Sequence, residues 1–300
     1  MKDNVIERLR QTVVQDLFDT STVQKCWDVW QPKIKALIGD NPTTQSILDL
    51  GEHLRDIFKS TKTERSQSGV SAGGNAWEAL ITWYVNLCCV GSRVVAIKKI
   101  GQVPTPIRDA IAVNYSTFSC TTESDITVVV FPNDIMFTDP NLTLLKRNRT
   151  VDNKALSDAV SFFIDKFEVG VIQCKTNWND NAQIPMLWNM IYSVGQFTDK
   201  QISVGRNNYT IKALNQFTYS FVTVPSVKLT NFKSTSLSVN RVRNLTGGNY
   251  WGLATKDGIA RCVKEIFQNY RNGFEHSDIR RTLSDAIPLL QSELNYFKLY

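Results

Sequence analysis

The run Val-Gly-Val-Ile-Gln-Cys-Lys at residues 169–175 carries an amide and an amine out of an otherwise apolar stretch. As a strand, it would place Val171, Gln173 and Lys175 on one face and Gly170, Ile172 and Cys174 on the other. A lysine and an amide are costly to bury without partners, and a phosphodiester undergoing hydrolysis would supply them. Gln173 can offer a metal its amide oxygen, the backbone carbonyl of Cys174 can offer a second, and Lys175 can hold and polarise the attacking water. The alternative is a strand end from which both polar groups reach solvent. Upstream, Asp125 opens the run Asp-Ile-Thr-Val-Val-Val-Phe at residues 125–131 and would sit at the rim of a sheet. Two neighbouring strands would bring Asp125 beside Gln173 and Lys175. A hard divalent cation needs such oxygen ligands, and Mg²⁺ takes few from the protein and keeps several waters. Asp125 could instead cap a turn. Asp134, in Pro132-Asn133-Asp134, is a second and less well placed candidate acid.

Glu78 is the only charged residue between Arg65 and Arg93, in a helical run reading Asn-Ala-Trp-Glu-Ala-Leu from residue 75. Three residues after Asn75, it could close a capping box at a helix start. The stretch before it, residues 60–74, is polar, small and glycine-containing. It reads as a loop, with Gly73 and Gly74 permitting close approach of the backbone to another molecule.

Residues 124–131 (Ser-Asp-Ile-Thr-Val-Val-Val-Phe), followed by residues 171–180 (Val-Ile-Gln-Cys-Lys-Thr-Asn-Trp-Asn-Asp), resemble the PD-(D/E)xK signature of type II restriction endonucleases. The resemblance covers roughly residues 71–192. Ser124 stands where the family has proline, and Gln173 where it usually has an acid. The separation of Asp125 from Gln173 is longer than usual and holds a predicted helix. Some restriction enzymes similar to this chain use glutamine there, at the cost of one negative charge in the metal site. The resemblance implies an α/β fold: a restriction-endonuclease-like core with a central mixed β-sheet flanked by helices, plus an N-terminal helical region. It implies Mg²⁺ bound by Asp125, Gln173, Glu78 and the Cys174 carbonyl. Glu78 would be the helix-borne acid that such enzymes aim at the metal, and Lys175 the residue that stabilises the nucleophile. Thr176 and Asn177 would contact the scissile phosphate, whereas Asp180 is better read as a helix cap. The partner implied is double-stranded DNA cut at a specific sequence. A homodimer would match a symmetric site, and a heterodimer with a second nuclease subunit an asymmetric one. Two other readings remain open: a repair or structure-specific nuclease of the same fold, and a non-catalytic DNA-binding subunit.

Composition is compatible with this chemistry and excludes others. The chain has 300 residues, 42% apolar and 21% charged, which is ample for a buried core. A net charge of +6 favours a polyanionic partner. His53 and His276 are the only histidines, so a zinc site built on several histidines and a His-Asn-His nuclease are both excluded. No GxSxG nucleophile elbow occurs. Cysteines 26, 88, 89, 120, 174 and 262 form no CxxC pair and read as reduced, mostly buried thiols. The start, Met-Lys-Asp-Asn-Val-Ile-Glu-Arg, has no apolar signal segment. The longest apolar stretch, 79–90, is broken by Thr82 and Asn86 and is too short to span a bilayer. A cytoplasmic, prokaryotic protein without a membrane partner is expected.

Residues 3–60 are expected to be helical, from Val5, Leu9, Val13 and Leu17 and again from Ile47, Leu50, Leu54 and Phe58. A helix over 75–90 and strands over 93–100, 125–131 and 169–175 follow, with a helix over 153–167 between the last two strands. Residues 132–152 read as a connection ending in the basic cluster Lys146, Arg147 and Arg149. A helix over 181–197, a β-rich stretch over 200–256 and two terminal helices at 257–272 and 277–297 complete the pattern, with Gly273 as a stop and Ser277 as a cap. The expected organisation is a helical region (1–66), a catalytic core (67–199), and a β-rich DNA-contacting region with C-terminal helices (200–300), integrated into one domain.

The span 200–256 contains eight basic residues and no acid. Phosphate contacts draw on such lysines and arginines, so Lys228, Lys233, Arg241 and Arg243 are candidate DNA-binding residues. Asn240-Arg241-Val242-Arg243-Asn244 has the side-chain types that read base edges. The alternative is a solvated basic surface.

Overall fold

A computed structural model describes residues 3–61, 67–121, 124–148, 150–178, 191–192, 196–197, 202–225, 235, 240, 244–245, 249–250 and 262–300. The helices are α1 (Val5–Leu17), α2 (Ser21–Ile38), α3 (Thr44–Lys59), α4 (Gln67–Cys88), α5 (Thr105–Ala110), α6 (Ile135–Thr138), α7 (Asn153–Phe162) and α8 (Ile279–Ala286). The strands are β1 (Val94–Ile97), β2 (Val113–Tyr115), β3 (Phe118–Cys120), β4 (Ile126–Val130), β5 (Lys146–Arg147), β6 (Thr150–Val151), β7 (Glu168–Trp178), β8 (Gln196–Phe197), β9 (Ile202–Val204), β10 (Gln216–Pro225) and β11 (Asn249–Tyr250). The chain is therefore α/β, as its mixed periodicities predict.

The central sheet has the order β1-β4-β7-β10-β11. β1 and β7 each run antiparallel to β4, whereas β7 and β11 each run parallel to β10 between them. Runs rich in valine and isoleucine suit strands covered on both faces, and every residue of β1 and β4 is buried. Alternation divides the core. Ala96, Ile126, Val128, Ile172, Cys174 and Val222 share one buried cluster with α2, α3, α4 and the C-terminal segments. Val95, Val129, Val169, Val171 and Tyr219 share the other with most of the apolar face of α1, with α7 and with Phe131, Phe137 and Phe167.

Helix α4 is apolar nearly all round, and such a helix belongs inside. Trp77, Leu80, Ile81, Tyr84, Val85 and Leu87 are all buried. The two polar interruptions of its apolar stretch from residue 79, Thr82 and Asn86, have partners. Asn86 donates to the carbonyl of Ala96 (2.8 Å) and accepts from the Ala96 N–H (3.1 Å). It thus pairs the outer edge of β1 as another strand would. Thr82 Oγ1 donates to the Glu78 carbonyl within α4. Arg10, fully buried against Glu7, covers the same edge by donating to the carbonyls of Ser92 and Val94.

Several expectations need correction. The helix carrying Glu78 starts at Gln67, so Gly73 and Gly74 lie inside it rather than in a loop. Asn75 is likewise inside the helix, so the capping-box reading of Glu78 falls. Gln196 and Phe197 form β8, paired to β9, so a helix does not run through to residue 197. Ile191 and Tyr192 are helical, and residues 181–190, with Asp180, lie outside the described residues. The connection 132–152 contains α6 and the β5–β6 hairpin. At the C-terminus, the stretch Val263–Gly273 is a 3₁₀ segment, and α8 is capped by Asp278, not Ser277. Among the described residues, no helix is long and apolar enough to cross a membrane.

Candidate active site

The carboxyl-terminal ends of β1 and β7 and the amino-terminal end of β4 lie at one end of the sheet, because β4 is antiparallel to both. Ile126 pairs with Ile172. One step further along each strand, Asp125 therefore faces Gln173, as the two sequence runs predict. Asp125 Oδ2 accepts from Gln173 Nε2 (2.7 Å) and from the backbone N–H of Cys174 (2.7 Å). Ser124, just before it, shares a hydrogen bond with Thr127 (3.1 Å) that closes the entry into β4.

Gln173 is only 3% exposed, and its Oε1 is buried without a hydrogen-bond partner. Buried acceptors without partners are uncommon in folded proteins. This one belongs to an amide whose other end holds a carboxylate. Burial pushes the Asp125 carboxyl up to about 6. Lys175, the Cys174 N–H and Lys98 pull it down, and Glu78 adds to the rise. Lys98 follows the last residue of β1 and pairs with Glu78 at 3.0 Å, and Lys175 lies two residues beyond Gln173, so these charges belong to the same end of the sheet. Glu78 reaches this end of the sheet from α4, which is tied to β1 through Asn86 and to β10 through Trp77, whose Nε1 donates to the Val222 carbonyl (3.4 Å). Burial and then Asp125 push the Cys174 thiol well up, so Cys174 offers its backbone rather than a thiolate.

Among the described residues, no cluster of three or more histidines, cysteines, aspartates or glutamates is arranged to hold a metal. The donor set here is of another kind: two carboxylates, an amide oxygen lacking a partner and a strand carbonyl. All are oxygen donors, and they fit a hard cation that keeps some of its waters. The partnerless Gln173 Oε1 is the observation that carries this fit.

Sequence reasoning missed Lys98. It follows the last residue of β1, pairs with Glu78 at 3.0 Å and donates to Asn75 Oδ1 at 3.2 Å. The available signal was Lys98-Lys99 closing a four-residue apolar strand. Asp134 is placed elsewhere. It lies beyond the opposite end of β4, where it caps α6 by accepting from the Met136 N–H and approaches Lys166.

Thr176 is half-buried in β7 opposite Val224, and Asn177 is the next residue of that strand. Lys228, Lys233, Arg241 and Arg243 lie outside the described residues. In the same acid-free span, Arg206 is committed internally, paired at 2.7 Å with buried Asp109. Lys146 likewise donates to the Asp3 and Pro140 carbonyls, and Arg149 lies outside the described residues. A scan against protein-family models finds no match to this chain, and neither does a search of curated proteins.

Proposed function

We propose that the chain is a Mg²⁺-dependent endonuclease that hydrolyses phosphodiester bonds of double-stranded DNA at a specific sequence, with a restriction-endonuclease-like core. The supporting observation is the convergence at one sheet end of Asp125, Gln173 with its partnerless Oε1, and Lys175 two residues on. Asp125, Glu78, Gln173 Oε1 and the Cys174 carbonyl would hold the metal. Bound Mg²⁺ would lower the pKa of its water and neutralise charge on the transferring phosphoryl group. Lys175, on the same strand face as Gln173, would hold the attacking water and steady its charge. Gln173 Nε2 and the Cys174 N–H fix the Asp125 carboxylate before any metal arrives, which reduces the reorganisation needed during reaction.

The composition of the basic span adds support, with eight basic residues and no acid over residues 200–256. β10 runs parallel to β7, with Thr223 opposite Lys175, so the chain leaves Pro225 towards residues 226–248 at the same end of the sheet as the site. On that composition Lys228, Lys233, Arg241 and Arg243 are proposed DNA contacts, with Thr176 and Asn177 nearer the scissile phosphate. A symmetric recognition sequence would be cut by a homodimer, an asymmetric one by a heterodimer with a second nuclease subunit.

Incubation of supercoiled plasmid with purified protein tests the reading. Discrete fragments in Mg²⁺ and none in EDTA are expected. Cleavage only at junctions or flaps would instead indicate a structure-specific nuclease. Intact plasmid over a wide range of protein and Mg²⁺ would leave a non-catalytic DNA-binding subunit.

A further inference from the structure

The ends of β1, β4 and β7 and the helix α4 contribute two carboxylates, Glu78 and Asp125, and two lysines, Lys98 and Lys175. At neutral pH these four charges sum to zero, so the cluster is balanced before any metal is added. A divalent cation entering it would leave an excess of two positive charges. Glu78 is also already occupied, its Oε2 lying 3.0 Å from Lys98 Nζ. The two side chains are equally and partly exposed, at 21% each, so either can swing aside without disturbing the core. Lys98 has an alternative partner in the DNA phosphate that the proposed reaction brings to this end of the sheet, and an ammonium binds phosphate as a point charge.

Resting on the nuclease reading, we infer that Lys98 is a positioning residue that exchanges Glu78 for a DNA phosphate, so that DNA binding frees Glu78 for the metal. In the free protein Lys98 and the cation compete for one carboxylate, and metal binding is weak. When DNA arrives, its phosphate takes Lys98 and Glu78 turns to the metal. The two ligands then promote each other's binding, and by linkage the effect is reciprocal. The metal site thus fills mainly when substrate is present.

Mn²⁺ is the probe, titrated by isothermal calorimetry and electron paramagnetic resonance into folded, DNA-free protein. The proteins compared are the parent and Lys98→Met, Lys98→Arg, Glu78→Gln, Asp125→Ala and Glu78→Gln/Lys98→Met. Near-ultraviolet circular dichroism confirms folding. Lys98→Met should bind Mn²⁺ roughly tenfold more tightly than the parent, whereas Lys98→Arg should stay within about twofold because it retains the charge. In the Glu78→Gln background the Lys98→Met gain should vanish, since the competition runs through Glu78. Ca²⁺ should tighten DNA binding by the parent and do so much less for Lys98→Met. An unchanged Mn²⁺ affinity in Lys98→Met, or an equal gain with and without Glu78, overturns the exchange. In that case, loss of Mn²⁺ binding in Asp125→Ala would still uphold the metal site itself. Failure of both parent and Lys98→Met to bind millimolar Mn²⁺ overturns the metal reading and the exchange together.

Discussion

Asp125 is an ordinary aspartate placed where its charge is uncomfortable, and that has a measurable consequence in the metal-free protein. Its carboxyl sits at about 6 rather than 3.8, chiefly because it is buried. The folded chain then holds a proton that the unfolded chain has released between these values. Stability should therefore fall as pH rises from about 4 to 6 and stay lower above, by at most about 3 kcal/mol. Asp125→Asn keeps an acceptor for Gln173 and Cys174 but cannot titrate. Denaturant unfolding in EDTA should thus show the parent losing stability relative to Asp125→Asn across that window, and parallel curves would contradict the assigned environment. Gln173→Glu is the complementary test. It puts a second carboxylate where an amide nitrogen now lies 2.7 Å from Asp125 Oδ2. It should lower stability in EDTA by about 1–2 kcal/mol and reduce the Mg²⁺ concentration needed for half-maximal cleavage. A higher Mg²⁺ requirement would count against Gln173 as a ligand. The pairing of Asp125 with Gln173 was legible in the sequence, because alternation and a polar pair in an apolar strand fix face and end together. Lys98 was not, since its partner Glu78 lies on a helix whose packing no local pattern specifies.

At the scale of elements, the site depends on how α4 is fixed to the sheet. Asn86 satisfies both the N–H and the carbonyl of Ala96 on the outer edge of β1. Asn86→Ala would strand two buried backbone groups, and a loss of about 2–4 kcal/mol is expected in denaturant unfolding. A loss below about 0.5 kcal/mol would mean that the edge is not held in this way. Strands and helices with strong periodicity were legible along most of the chain: β1, β4, β7 and α1–α3 all fall where their apolar residues recur. The start of α4 was misplaced because small and polar residues with paired glycines resemble a loop, whereas packing of the following turns carries the helix back to Gln67. The role of Asn86 was hidden for a related reason. An asparagine in an apolar run reads as an interruption until a strand edge is found beside it.

For the whole molecule, the charge distribution makes the proposed DNA binding testable. A net charge of +6 with an acid-free span from 200 to 256 should make binding strongly salt-dependent. Replacing Lys228 or Lys233 should weaken binding to all sequences alike and make the log–log salt dependence shallower, by about 0.9 for each phosphate no longer neutralised. Replacing Arg241 or Arg243 should cost roughly 1–3 kcal/mol on the preferred sequence and little on random DNA, if either reads a base. Four substitutions that change neither affinity nor slope would leave the span as a solvated surface. The sequence showed the span but not which of its cations are engaged elsewhere. Arg206, held by buried Asp109, is a cation that composition alone counted as available.

The central claim is that Asp125, Gln173 and Lys175 form a hydrolytic site. Single-turnover cleavage of plasmid DNA by Lys175→Ala in saturating Mg²⁺, with DNA binding measured on the same preparation, tests it most directly. Binding should stay within about twofold of the parent while the cleavage rate falls at least a hundredfold, a barrier increase of about 3 kcal/mol. A Lys175→Ala protein that binds normally and still cuts at more than about a tenth of the parental rate would contradict the claim, because a barrier change below about 1.4 kcal/mol is too small for the group that holds the attacking water.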